Sequence, residues 1–423
     1  MTFETEVAVI GAGAAGLAAG VRLAAAGVDF RVLEAACVPG GRAATDRETL
    51  GVPFDLGCHW LHDARRNPFV PIARKLGFAF DDSGGRRGER MLHLGTRFAK
   101  PDEIEEAEAA VEAAFAAVYA IGRTGRDVAA SEVLPELGRW EPLARHWLSL
   151  MSAAPPERIS TLDFSLYQDS NDNWPVVDGY GDLILAHGRD VAVTLDCPVS
   201  RIDHGGAHIE LETKLGRLRC RIAIVAVSTA VVAQGLLAFS PALPPKLGEA
   251  FSALPLGVAE KVALLFDQDM FGVAPRTGLD AFDESRAEAL AVSAILNPGG
   301  APAAVVHIAG PDAGALVRAG EGAMVDFAAS ALEKAFSSGL KRHIRRARVT
   351  RWSARPYIGG GYSCALPGAG DLRQTLSEGI DERIFFAGEA LGGSAFSTAH
   401  GAHLSGLAAA DKALAQLGKA GPG

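Results

Sequence analysis

The stretch from Glu6 to Glu34 does most to limit what this chain can become. Residues 6–10, Glu-Val-Ala-Val-Ile, form an apolar run of strand length, and Gly11-Ala12-Gly13-Ala14-Ala15-Gly16 follows without a gap. An Ala/Leu-rich run, Leu17 to Ala26, meets Gly27, and a second apolar run, Val28 to Leu33, ends on Glu34. Strand, glycine turn, helix, helix-stopping glycine, strand and acid make one βαβ unit with a dinucleotide fingerprint. Gly11 permits the tight turn, Gly13 lets the backbone approach a pyrophosphate, and Gly16 lets the helix pack on the strand. The free N–H groups at the start of that helix, with Ala14 and Ala15, then face phosphate. Glu34, followed by Ala35 on the same cofactor-binding stretch, is placed to accept hydrogen bonds from ribose hydroxyls and would repel a 2′-phosphate, which disfavours NADP.

Pro39-Gly40-Gly41-Arg42-Ala43 follows closely. Two glycines and a guanidinium after the second strand make a further phosphate-cradling element. With these two motifs the chain resembles the flavin-containing amine oxidase family, the monoamine and polyamine oxidases and their relatives. The resemblance runs to the C-terminus. It implies an α/β fold: a Rossmann-like FAD-binding domain of the glutathione-reductase type with an inserted α+β substrate domain. It places the discontinuous FAD-binding domain at 1–78, 176–245 and 356–420, and the substrate domain at 79–175 and 246–355. The cofactor implied is FAD.

Composition narrows the partners. The balance of 50 acidic to 41 basic residues, formally −9, argues against a nucleic-acid surface. Met1 to Glu6 has no basic leader region, and no apolar run reads as a membrane span. The tail Leu417 to Gly423 is short and has no membrane-anchor character. Cys37, Cys58, Cys197, Cys220 and Cys364 are odd in number and scattered, which reads as a reduced, cytoplasmic protein.

Further motifs match the family in chain order. Phe54-Asp55-Leu56-Gly57-Cys58-His59-Trp60-Leu61-His62 resembles the stretch that passes beside the flavin ring, which places Gly57, Cys58, His59 and Trp60 near it. His59 is a candidate for proton transfer, since histidine titrates near neutrality. Asp102 to Tyr119 and Trp140 to Met151 read as helices, the first amphipathic with a solvated acidic face. Gly179-Tyr180-Gly181 lacks a third glycine and a preceding long strand, so no second dinucleotide site is read there. Val199 corresponds to a valine that meets the adenine end of FAD through its backbone, and Ile209–Leu211 with Leu218–Val227 reads as a hairpin. Strands are also read at Leu290–Leu296 and Ala303–Ile308, a helix at Met324–Phe336, and a solvated basic run at Lys341–Arg348.

Lys261 opens an otherwise apolar strand, and the family's lysine there points at flavin N5 through a water. Trp352 and Tyr362 match rings that approach the flavin. Ala387-Gly388-Glu389 resembles the phosphate- and ribityl-binding turn, and Thr398-Ala399 the helix start at the pyrimidine edge, where an N-terminus stabilises developing negative charge. Relatives with covalent FAD carry cysteine immediately before the tyrosine. Gly361 stands there and Cys364 is displaced, so FAD is expected to be noncovalent. The pairs His59/His62 and His400/His403 lack acidic or thiol co-ligands at metal spacing, so no metal is expected.

The implied reaction passes a hydride equivalent from a C–H, expected alpha to nitrogen, to flavin N5, with O2 or another acceptor reoxidising the flavin. Lys261, Tyr362 and His59 are the candidate catalytic residues, and a small molecule is the expected substrate. One departure bears on the substrate. Many amine oxidases flank the nitrogen with two aromatic rings; Tyr362 matches one, but Thr398 stands at the other, with Phe396 or Trp174 as possible replacements. Dehydrogenation of an apolar substrate, as in phytoene desaturases, and a non-catalytic flavin-binding sensor are the alternatives.

Overall fold

The run that opens the chain lies inside a sheet covered on both faces. Val7 and Val9 pack against the helices Ala14–Ala25 and Ala399–Gln416, while Ala8 and Ile10 pack on the opposite side with Leu247, Ala250 and Phe251. A parallel strand buried on both faces must be apolar throughout, which is why this segment does not alternate. Thr2–Ile10 pairs in parallel with Phe30–Leu33 and with Gly216–Val225. The sheet has eight strands; its main path runs 238–240, 199–203, 209–213, 216–225, 2–10, 30–33 and 193–194, and Ile384–Phe386 joins beside 216–225. Ile209–Thr213 and Gly216–Val225 form the expected hairpin. The computed structural model describes residues 2–83, 90–285 and 291–419; Leu290, where one strand reading began, and residues 420–423 of the tail lie outside them.

A second sheet of six strands runs in the order 344–349, 259–266, 303–309, 292–296, 277–281 and 90–93. Its neighbours are antiparallel except Thr277–Ala281 with Arg90–His93. Here the period of two is visible. Val262, Leu264, Phe266, Val306, Ile308 and Ala294 pack on the helices Pro311–Ala319 and Glu321–Ala335. Residues between them, Lys261 among them, face the opposite way, toward the first sheet. The third layer is helical: Pro101–Gly122, Glu141–Ser152 and Thr161–Leu166.

The helical layer is fixed to the layer of the first sheet by an ion pair. Arg373 Nε and Nη2 donate to Asp163 Oδ1 and Oδ2 at 2.6 and 2.9 Å, and both side chains are buried. The same guanidinium donates to Ser363 Oγ at 2.7 Å and to the Ala390 carbonyl at 3.2 Å, and lies 3.9 Å from the Phe396 ring centre. A buried, bidentate pair with its remaining donors satisfied is costly to break from one side. The basic run 341–348 is solvated and paired: Lys341 with Asp326, His343 and Arg345 with Asp267, and Arg348 with Asp46.

Candidate active site

Between the layers lies one cavity of about 2380 Å3. Single-ligand pockets run to about 300–1,000 Å3, so this space holds more than one small molecule. Of the residues singled out in the sequence, Gly11, Gly13, Ala14, Ala15, Glu34, Ala35, Gly41, Arg42, Ala43, Gly57, Cys58, His59, Trp60, Val199, Lys261, Trp352, Tyr362, Gly388, Glu389, Thr398 and Ala399 all line it. Gly16 does not: it is packed behind, where a Cβ would meet the Gly11 carbonyl oxygen at 1.8 Å.

The glycine turn shows what the cavity accommodates. Gly11 has φ +101° and a Cβ there would strike the Ala226 carbonyl oxygen at 2.7 Å, so the fold itself demands glycine. At Gly13 a Cβ would meet no protein atom closer than 3.9 Å. The fold tolerates a side chain at Gly13, so the requirement there belongs to a ligand approaching the backbone. Gly40 bridges to Gly13, and the Arg42 guanidinium donates to the Gly361 carbonyl and, at 3.1 Å, to Glu389 Oε1. Glu34 is buried at 8 % exposure and accepts from the Ala12 and Ala36 amides at 2.7 and 2.9 Å. Each carboxylate oxygen keeps a lone pair for a ribose hydroxyl. These residues fit a dinucleotide.

Asp55 organises the next part of the wall. It is 1 % exposed and accepts from Thr45 Oγ1 (2.7 Å), the Tyr180 and Gly181 amides (3.0 and 3.1 Å) and His59 Nδ1 (3.1 Å). It thus caps the helix Tyr180–His187 from across the chain, which explains the glycine turn before that helix. Burial opposes its charge, but His59, the Tyr180 amide and the Thr45 hydroxyl outweigh it and hold the carboxyl below its usual range. Lys261 Nζ donates to the main-chain carbonyls of Asp55 (2.8 Å) and Gly57 (2.7 Å). Burial lowers the Lys261 pKa, with Asp55 opposing. Burial pushes the neighbouring Cys58 thiol up to about 12, which keeps it un-ionised.

Tyr362 donates its hydroxyl to the Leu150 carbonyl, and Trp352 is buried with its Nε1 donating to the Leu56 carbonyl at 3.3 Å. The Thr398 hydroxyl donates to the Ala395 carbonyl (2.6 Å) and accepts from the Gly401 amide (3.0 Å), so it serves as the N-cap of Ala399–Gln416. Of the two rings considered for the missing half of the aromatic pair, Trp174 is stacked on Phe80 at 5.6 Å, away from the cavity wall, while Phe396 lines it, with the Tyr167 ring edge-on at 5.6 Å. Cys364 packs beside the helical layer, its Sγ 3.9 Å from the Arg158 carbonyl, and burial raises the thiol to about 12.

Some contacts around the cavity were invisible to sequence reasoning. His62 bonds Asn173 Oδ1 at 2.7 Å and lies 3.7 Å from Asp169, whose carboxylate accepts from Tyr167; burial lowers the His62 pKa against Asp169. Arg373 fixes the backbone of Ser363, next to Tyr362. Each depends on pairings across tens to hundreds of residues that no local pattern encodes.

Residues 14–414 match the family described as flavin containing amine oxidoreductase. Human lysine-specific histone demethylase 2 is 27% identical over 97% of this chain, and the chain spans about half its length, 53%. Polyamine oxidase 2 of Arabidopsis thaliana is 28% identical over 97% of this chain and 88% of its own, and rice polyamine oxidase 4 is 26% identical over 96% and 88%. Among solved structures, cyclohexylamine oxidase from Brevibacterium oxydans IH-35A superposes with TM-score 0.79 at 19% identity, over 98% of this chain and 99% of the other. Wild-type putrescine oxidase bound to putrescine gives 0.80 at 17%, over 98% and 100%. With a dinucleotide cradle of the right composition, this fold and this match, the chain belongs to the flavin-containing amine oxidoreductase family.

Proposed function

We propose that the protein oxidises a small amine at a carbon bonded to nitrogen, with O2 as the final acceptor and hydrogen peroxide as product. FAD, when bound, supplies the hydride acceptor. The observation that carries the reading is Lys261. A half-buried lysine on a substrate-sheet strand is tied to the main chain of Asp55 and Gly57, on the wall of a cavity that also contains the dinucleotide cradle. We assign 1–78, 176–245 and 356–420 to cofactor binding and 79–175 and 246–355 to the substrate.

The residues divide the work. Glu34, Gly13, Gly41 and Arg42 hold the nucleotide end. Asp55 orients His59, and Lys261 holds a positive charge or a bound water at the reacting end. Tyr362, with Phe396 in place of a ring at position 398, walls the amine and excludes water, so the reacting atoms meet in one orientation. The five cysteines are all free, which supports a reducing, cytoplasmic setting. Among the described residues no helix is long and apolar enough to cross a membrane.

The test is an amine panel, including cyclohexylamine, putrescine and a methyl-lysine peptide, with peroxide read under air and flavin bleaching read without it. At least one amine should bleach the flavin and yield peroxide. Bleaching by apolar alkenes or isoprenoids and by no amine would overturn the reading in favour of a desaturase.

A further inference from the structure

Apart from Arg90 at its edge, the cavity-facing side of the second sheet is apolar except for one row. Strand pairing sets Lys261 opposite His307, His307 opposite Ser293, and Ser293 opposite Asp280. Directly opposed residues on adjacent strands share a face, with Cβ atoms about 4.5–5.5 Å apart. All four line the cavity, and the next residues along that face, Val305 and Ile295, are hydrocarbon.

Three members of the row are engaged with protein. Lys261 Nζ is held by two carbonyls. Ser293 Oγ donates to Asp280 Oδ1 and meets His146 Nε2 at 3.0 Å. Asp280 Oδ2 accepts from Arg90 at 2.6 Å and from Trp147 Nε1 at 3.3 Å. His307 differs: its imidazole makes no side-chain hydrogen bond among the described residues, yet it stands on the wall beside the lysine. A polar ring directed at a cavity without a protein partner is suited to a ligand.

We propose that His307 contacts the substrate, its imidazole accepting a hydrogen bond from the N–H of the amine. The inference rests on the amine reading above. Burial, reinforced by repulsion from Lys261, drives the ring's pKa down to about 3, so at neutral pH it is an uncharged acceptor. The Lys261 ammonium next to it disfavours a second cation, so this part of the wall favours the amine as free base, whose nitrogen lone pair is available for oxidation. The braced chain His146–Ser293–Asp280–Arg90 fixes the strand beside His307 and so its position.

The test uses FAD-loaded wild type, His307→Leu and His307→Gln. Two readouts are taken: Kd for tert-butylamine from the shift of the flavin spectrum, and kcat and KM for whichever of cyclohexylamine and putrescine is turned over. tert-Butylamine has no hydrogen on the carbon bearing nitrogen, so it binds without reacting. His307→Leu should weaken tert-butylamine and raise KM about tenfold, the size of one hydrogen bond, with kcat within about threefold. His307→Gln should restore most of the loss, and flavin content should match wild type in both. An unchanged Kd in His307→Leu, or equal losses in Leu and Gln, would overturn the proposal while leaving amine oxidation standing. A wild-type flavin that neither shifts with tert-butylamine nor bleaches with any amine would bring down both readings together.

Discussion

Replacing Asp55 by asparagine tests whether one buried carboxylate holds the reacting end together. Four donors converge on it: Thr45 Oγ1 and the Gly181 amide on one oxygen, His59 Nδ1 and the Tyr180 amide on the other. Asparagine turns one oxygen into an NH2 group. The threonine hydroxyl can rotate and the imidazole can change tautomer, but neither backbone amide can turn away. At least one fixed N–H therefore faces another donor. A lost bond to a charged acceptor is worth about 1.5–3 kcal/mol, and at 1 % exposure water does not screen it. Large domains shift by about 2–4 °C per kcal/mol, so Asp55→Asn should melt about 3–12 °C below wild type at pH 7, read by flavin release on heating. Asp55→Ala orphans all four donors and should cost more. The gap depends on pH. The folded-state pKa is lowered, so the stabilisation is present above the unfolded value near 3.8 and disappears as pH falls through the folded value. A melting point within about 1 °C of wild type at pH 7 would refute the hub assignment.

Other expectations follow from the same geometry. Lys261→Met should retain FAD but slow flavin reduction or reoxidation about a hundredfold, the scale of a positioned proton-handling group; an unchanged rate in stopped flow would remove Lys261 from the reaction. Acid precipitation should release the yellow chromophore into the supernatant, because Cys364 is buried against the helical layer as a neutral thiol; colour in the pellet would mean a covalent link. Arg373→Lys should cost about 1.5–3 kcal/mol in a chemical melt, since a lysine keeps the charge but cannot satisfy both Asp163 oxygens and Ser363. His146, His400 and His403 are buried with pKa values lowered to about 4 by desolvation. The unfolded chain takes up those protons near 6.5, so the contribution of these three histidines should decline as pH falls from about 6.5 to 4 and then stay constant; a flat melting profile between pH 6.5 and 4 would contradict it.

The parts of the site that could be read from the sequence are the ones built from neighbours. The glycine turn, Gly-Gly-Arg and the Ala-Gly-Glu turn each compress their chemistry into a few consecutive residues. Lys261 stood out as the one basic residue in a largely apolar run. The same signal exists at His307, the one polar side chain in Ala303–Ala309, but its meaning depends on which strands lie beside it. That register is fixed by tertiary packing and leaves no local trace. Asp55 was visible only as part of a flavin-side motif; its capping of a helix 125 residues onward required the fold. Thr398 looked like a gap in an aromatic pair, and its capping bonds explain what the residue does instead.

The Asp163–Arg373 clamp also limits how molecules reach the interior. A lid that swung on a hinge would have to pull a guanidinium and a carboxylate apart and leave each stranded in a greasy surrounding. The clamp therefore sets a cost on parting the helical layer from the segment that carries Ser363 and Ala390, and holds the wall beside Tyr362 in place.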